Sequence, residues 1–520
     1  MLPVWYVLPM RTIVVGAGAG GAVVAARLSE DAGHDVVLVE AGPDYPAAAS
    51  DVEALPGDLR NGRHNSMRRH DWGYGYRATS DRFWSALPMA YPRGRVVGGS
   101  SAVNTCIALR GQPRDYDEWA ERGLPEWSWD RCLPAFKRLE TDLDFNDEWH
   151  GQGGPIPIRR HPPDELTAWQ TTFLEACDEL GFARCADTNN PRTTGAGPHA
   201  MNKVDGERMG AARCYLTAKV RARENLRIVP DTVVRRVLFA NRQAMGVEVE
   251  RFGRVFEILG DRVVLAGGAV ATPGILLRSG VGPERDVARM GVDLVADVPG
   301  IGAKLLDHPG VAVFFRPRAR GFTKLTDPLI QTVHRYRATG SDCPNDMQVQ
   351  PGSWVPLPWG DLPWVTISLC VGKPRGAGTL RFDSHRPEDP PRIETRLLED
   401  PDDAARAKEG LRIIGALART RAVSRVAQIA YPRRAFDDAG EPRMSLPQIT
   451  GSGYHPCGTV PMGPSSDPLA ATDGRGRVRG VERLFVADAS LMPTVPSSNT
   501  HLPSLMIGER MGEWLRDGGA

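Results

Sequence analysis

The chain has 520 residues, with 64 Lys+Arg against 63 Asp+Glu and a net charge of +1. At about 150 residues per domain, that length allows three to four units or fewer large ones, so core size is not limiting. The balanced charge supplies no pull toward nucleic acid or an anionic membrane surface and points to a neutral or weakly charged partner.

Only 7 of the 64 cationic side chains are lysine, a skew that reads as codon usage in a GC-rich bacterial genome before it reads as a binding surface. The eight cysteines form no CxxC pair and read as reduced thiols, which places the expected location in the cytoplasm. No apolar run approaches the roughly 20 residues that span a bilayer. The apolar start MLPVWYVLP lacks a basic n-region and a small-residue cleavage site. Met10 stands directly before the first strand, so residues 1–9 read as a misassigned start.

In chain order, residues 11–40 predict a βαβ unit. The β-branched run Ile13-Val14-Val15 enters a glycine cluster, a helix follows from about Gly20 to Ala32, and Val36-Val37-Leu38-Val39 forms the next strand before Glu40. Gly16, Gly18 and Gly21 complete G-x-G-x-x-G, which allows a tight turn, close approach to a pyrophosphate and packing of helix on strand. Glu40 ends the second strand, where a carboxylate accepts from ribose hydroxyls. The acid disfavours NADP and leaves FAD and NAD both open.

Residues 93–111, RGRVVGGSSAVNTCIALRG, read as a glycine-rich loop turning into a strand. Helices separated by a turn are expected over 113–140, with aromatics directed to the core, then a loop into a strand at 149–158 and a helix near 166–180. NLRIV, VVRRVLF, GVEVE and RVVLAGG follow as short strands. In the turn-rich stretch 299–310, Asp307-His308 reads as a capped turn and not as catalytic machinery. Trp354, Trp359 and Trp364 read first as packing, with a hydrophobic substrate wall as the alternative. Residues 402–426 predict one amphipathic helix. Near the C-terminus GYHPCGTVPMG sets one histidine between a proline and glycines. No internal repeat, heptad pattern or low-complexity tract occurs, and no metal site is assigned.

Five segments occurring in order, RVVGGSSAVN, VVLAGGAVATPGILLRSGVGP, GIGAKLLDHPG, GYHPCGTVPMG and RVRGVERLFVADASLMPTVPSSNTHLPSLMIGER, together resemble the glucose-methanol-choline oxidoreductases. The resemblance runs from residue 11 to about 515 and implies FAD as cofactor. It implies that Gly16, Gly18, Gly21 and Glu40 hold the ADP half. Asp488, at the end of the late strand RLFVADAS, is expected to meet the ribityl chain and pyrophosphate. Arg95, Gly98, Asn104 and Val234 match positions lining the rest of the cofactor. Some relatives attach the flavin to a histidine where this chain has Val103; an alkyl group cannot form that bond, so FAD is expected to be non-covalent.

By the same resemblance His455 is the active-site histidine beside flavin N5, taking the hydroxyl proton as hydride leaves the substrate carbon. Imidazole, with an ordinary pKa near 6.5, accepts a proton at neutral pH. Asn499 occupies the second catalytic position. His501 is expected over the flavin's pyrimidine end and is the alternative partner. Pro503 is expected to begin the last helix, whose N-terminal dipole faces flavin N1. One departure is DDAGEPRMSLPQITGSG, which stands where relatives often carry an acidic helix.

The expected protein is a two-domain α/β flavoprotein. Residues 10–115, 195–298 and 453–520 form a Rossmann-like FAD unit of discontinuous segments, and 116–194 and 299–452 a substrate unit of antiparallel sheet plus helices. The expected reaction oxidises an alcohol to the carbonyl, the substrate apolar or aromatic, with oxygen or another acceptor restoring the flavin. The alternative is a hydroxynitrile lyase-like enzyme using the same histidine in redox-silent chemistry.

Overall fold

A computed structural model describes residues 9–66, 69–78, 89–357 and 360–518. Residues 1–8 and Trp359 lie outside the described residues, so the misassigned-start reading is not tested and one of the three tryptophans has no placement.

The β-branched runs near the N-terminus form a five-stranded parallel sheet in the order Leu226–Val229, His34–Val39, Met10–Val15, Arg262–Leu265, Leu484–Val486. Ile13, Val14, Val36 and Leu38 have no solvent exposure. A parallel sheet is covered on both faces, so its strands read as continuous apolar runs without alternation. The helix after the glycine turn spans Ala19–Leu28 and stops short of the expected Ala32, because Asp31 accepts from the Gly33 amide at 2.8 Å and closes a turn. The C-terminal helix His501–Arg516 crosses it at a glycine contact, where a Cβ on Gly508 would lie 2.8 Å from the Gly20 carbonyl oxygen.

Opposite stands a seven-stranded sheet whose main path is Ala427–Tyr431, Pro309–Pro317, Val365–Val371, Met347–Gly352, Thr332–Tyr336, Gly195–Pro198. Its seventh strand, Thr450–Ser452, also pairs with Pro309–Pro317, setting Pro309 opposite Ser452. Along Val365–Val371 buried and half-buried residues alternate. One face therefore packs on a core and the other is left to line a cavity.

The helix Pro401–Arg419 covers the core face with Leu411, Ile414 and Leu417, and Asp400 caps it by accepting from Asp402 and Asp403 amides. The single helix expected over 402–426 is two helices, because Thr420 interrupts the first and caps the second, Arg421–Val426. The expected domain boundaries also move. Gly195–Pro198, assigned to the FAD unit, belongs to the antiparallel sheet. The helices Pro113–Glu121 and Trp129–Leu139, mostly assigned to the substrate unit, join the parallel-sheet core, where Trp127 meets Trp514 edge-on at 5.3 Å and Trp119 donates to Thr494. Among the described residues no helix is long and apolar enough to cross a membrane, and no cluster of metal-ligating side chains occurs.

Candidate active site

Between the two sheets runs a cavity of about 1010 Å³, reaching from the glycine turn and Glu40 past Ala266–Gly268 to His455 and Asn499. The turn itself explains the glycines. Gly16 sits at φ +97°, and a Cβ there would lie 2.5 Å from the Ala266 carbonyl oxygen. Gly16, Gly18 and Gly20 line the cavity, whereas Gly21 allows helix and strand to meet, since its Cβ would strike the Gly16 carbonyl oxygen. Glu40 is buried, with Oε2 accepting from the Ala17 amide at 2.8 Å and Oε1 from the Gly42 amide at 3.0 Å. Burial pushes its pKa up to about 7, against the opposing pull of those amides.

Of the expected cofactor contacts, Arg95 and Gly98 fall outside the cavity lining. Asp488 borders the cavity, yet its carboxylate takes four donors from the protein: the Gly268 amide and Thr272 hydroxyl on Oδ2, the Ser490 amide and hydroxyl on Oδ1. A carboxylate has about four lone-pair sites, so this one is spent on holding the turns around it. Arg95 is exposed, donates to the Ala41 carbonyl and lies 4.9 Å over the Trp72 ring; it is outside the lining. Arg93, two residues earlier, lines the cavity in its place, as does Arg278. Gly98, at φ +108°, shapes the turn behind the lining, and Gly99 reaches the cavity in its place. Asn104, Val234 and Val103 all line it. So does His501, whose buried Nε2 has no partner among the described residues and whose pKa burial pushes down to about 4. The last helix begins at His501 itself, two residues before the expected Pro503.

At the far end the catalytic candidates converge. His455 Nε2 lies 3.1 Å from Asn499 Nδ2, although 44 residues separate them. Burial first, then His308 and Arg93, hold the His455 imidazole well below its ordinary range, so it is neutral at neutral pH. Its backbone amide donates at 2.9 Å to Asp307 Oδ1, which also accepts from the His308 amide, while Asp307 Oδ2 accepts from Tyr91 and Ser452 hydroxyls. His308 is 1 % exposed and its Nδ1 is 2.9 Å from His455 Nδ1.

The structure does not form the expected capped turn at Asp307-His308: the two residues lead straight into the strand Pro309–Pro317, Asp307 accepts from the His308 amide, and both residues hold His455. The signal that unites them is the pairing of Pro309 with Ser452, which places residues 307–308 beside 453–455 and leaves no mark in either local sequence. The aromatic wall was also missed: Tyr76, Phe314, Phe382, Tyr431 and Tyr454 border the cavity. Trp354 is 2 % exposed, with its indole N–H donated to the Asp327 carbonyl, and packs beside a smaller annex of about 260 Å³.

A glycine cradle at one end, a buried imidazole nitrogen at a helix start and one long cavity running on to His455 fit a dinucleotide cofactor. Two family models described as GMC oxidoreductase match residues 10–310 and 374–508. The chain is 33% identical to the 5-(hydroxymethyl)furfural oxidase of Methylovorus sp. (strain MP688), over 96% of this chain and 97% of that protein. It is 30% identical to the oxygen-dependent choline dehydrogenase of Brucella anthropi, over 97% and 95%. The solved structure of pyridoxine 4-oxidase from Mesorbium loti superposes with a TM-score of 0.86 at 28% identity, covering 98% of this chain and 99% of that one. The chain belongs to the GMC oxidoreductase family, and it is an FAD-dependent enzyme of the alcohol oxidase or dehydrogenase type.

Proposed function

We propose that this enzyme oxidises an aromatic or apolar alcohol to the carbonyl compound with non-covalently held FAD. The observation that carries the reading is the neutral His455 imidazole, with Nε2 3.1 Å from Asn499, at the end of the cavity that begins at the glycine cradle. An alcohol releases hydride reluctantly until its hydroxyl proton begins to leave. His455 Nε2 takes that proton, and a base so placed contributes about 10² to 10⁴ in rate. Asn499 Nδ2 donates to the substrate oxygen as negative charge gathers there, without competing for its proton. FAD, when bound, supplies the hydride acceptor.

Tyr76, Phe314 and Tyr454 favour a flat apolar body over a sugar or quaternary amine. The relatives named for 5-(hydroxymethyl)furfural and pyridoxine point the same way, toward a hydroxymethyl group on an aromatic ring. Val103 supports the non-covalent cofactor.

The test is to follow the flavin band anaerobically against aromatic, aliphatic and sugar alcohols, then admit air. Aromatic alcohols are expected to bleach it fastest; a flavin bleached only by sugars would overturn the substrate class, and one bleached by no alcohol would overturn the oxidation. Fast recovery in air marks an oxidase and slow recovery a dehydrogenase. Acid precipitation is expected to leave the flavin in the supernatant, and colour retained in the pellet would contradict non-covalent binding.

A further inference from the structure

His308 is spent by none of the chemistry described so far, yet it is one of the most tightly held imidazoles in the molecule. Its Nε2 lies 2.9 Å from two backbone oxygens, those of Gly372 and Pro496. Two carbonyl oxygens at that distance are acceptors only, so Nε2 carries the proton. In neutral His308, Nδ1 is then a lone pair, and the contact of 2.9 Å with His455 Nδ1 is a hydrogen bond only if His455 is protonated at Nδ1. That fixes the tautomer of His455 with its Nε2 lone pair toward Asn499 and the cavity, and orients the Asn499 amide with its N–H groups toward that nitrogen. The opposite arrangement would set the His308 Nε2 lone pair against two carbonyls.

We infer that His308 is a positioning residue for the reaction, holding His455 in its proton-accepting tautomer and sharing the proton that His455 removes from the alcohol. This rests on the proposed role of His455. The atoms balance as follows. The substrate O–H bond breaks and its proton bonds to His455 Nε2, while the C–H electron pair leaves with hydride to the cofactor. The Nδ1–H bond of His455 then breaks and that proton bonds to His308 Nδ1. His455 is left neutral with its proton on Nε2, and His308 becomes the imidazolium. The proton returns by the reverse path when electrons pass to oxygen or another acceptor.

Burial lowers the pKa of both rings, but only His308 has neighbours that pull the other way. The Nε2–H of His308 already faces two carbonyl oxygens, and Asp307 and Asp115 both favour its cation, with Lys373 paired to Asp115 and so partly offsetting it. On the His455 side Arg93 opposes a positive charge, its guanidinium donating to the Tyr454 carbonyl. Tyr91 is bound to Asp307, and Tyr454 stays neutral. A pair coupled through one hydrogen bond titrates as a unit, so the acid limb of the rate profile belongs to the dyad.

The test uses the FAD-loaded enzyme and single-turnover flavin reduction across pH, for wild type, His308→Leu, His308→Asn and His455→Ala. Leucine removes the acceptor; asparagine offers Oδ1 to the His455 Nδ1–H but cannot become a cation. Flavin reduction is expected to fall by about 10²-fold in H308L, approaching loss of the base itself. In H308N it is expected to fall by only about 10-fold, with the acid limb displaced to lower pH because the second proton site is gone. Equal losses in the two variants with an unmoved limb would overturn the inference, since packing alone would act that way, and so would wild-type rates in both. Should H308L fail to load FAD, H308N alone decides by whether its limb moves. Normal reduction in H455A would instead overturn the role of His455.

Discussion

The glycine turn at residues 16–21 and the histidine pair 308 and 455 face one cavity but are built in different ways. The turn is local in sequence: strand, glycines, helix, strand and acid follow one another within thirty residues, and Gly16, Gly20 and Gly21 answer close approaches of the Ala266, Ala487 and Gly16 carbonyls. The histidine pair is assembled by an antiparallel pairing between strands more than a hundred residues apart. At Gly16, Gly20 and Gly21 the local device leaves no room for a Cβ, whereas the distant one depends on charge and hydrogen bonds that substitution can trim in steps.

That contrast sets the order of expected effects. Gly16→Ala adds a Cβ against the Ala266 carbonyl at a left-handed φ that costs about 1–2 kcal/mol for other residues, so flavin bound per chain should drop to about a tenth or less, read from the ratio of visible to ultraviolet absorbance. Full flavin content would mean that the turn does not cradle the cofactor. Asp307→Asn leaves one acceptor oxygen where the carboxylate serves Tyr91, Ser452 and the amides of His308 and His455. Losing one charge-assisted bond of about 1.5–3 kcal/mol predicts flavin reduction slower by roughly 10 to 100-fold, at near-normal flavin content. An unchanged rate would show that the pairing holds His455 without Asp307.

The smallest effect lies away from both regions. His150 is buried, bonded to Asp147 at 2.7 Å and within 3.2 Å of Asp187, and these carboxylates outweigh burial to raise its pKa. The stability it contributes is full below the ordinary histidine range and is lost as pH rises through the elevated folded value. A modest fall in melting temperature over that window, absent in His150→Asn, is the expected result; identical pH curves for the two proteins would count against it.

Legibility in the sequence follows the same division. The βαβ unit, its glycines and the short strands around 226–265 were readable because period, turn chemistry and spacing act over a few residues. His455 and Asn499 were readable by resemblance, each inside a compact motif, and the structure brings them together. What could not be read depends on third parties. Asp488 turns its carboxylate to Thr272 and Gly268, on a helix start more than two hundred residues earlier. Arg93 lines the cavity and Arg95 does not, a difference between two arginines flanking one glycine that only the folded loop creates. His308 looked like part of a capped turn because its partners, Gly372, His455 and Pro496, all arrive from other segments.

The measurement that bears most directly on the central claim is anaerobic single-turnover reduction of the FAD-loaded His455→Ala enzyme by the best aromatic alcohol. Flavin content equal to wild type with reduction slower by about 10² to 10⁴-fold is the expected result. Reduction at the wild-type rate would contradict it, and would mean that the neutral imidazole at the end of the cavity is not the group that takes the substrate's proton.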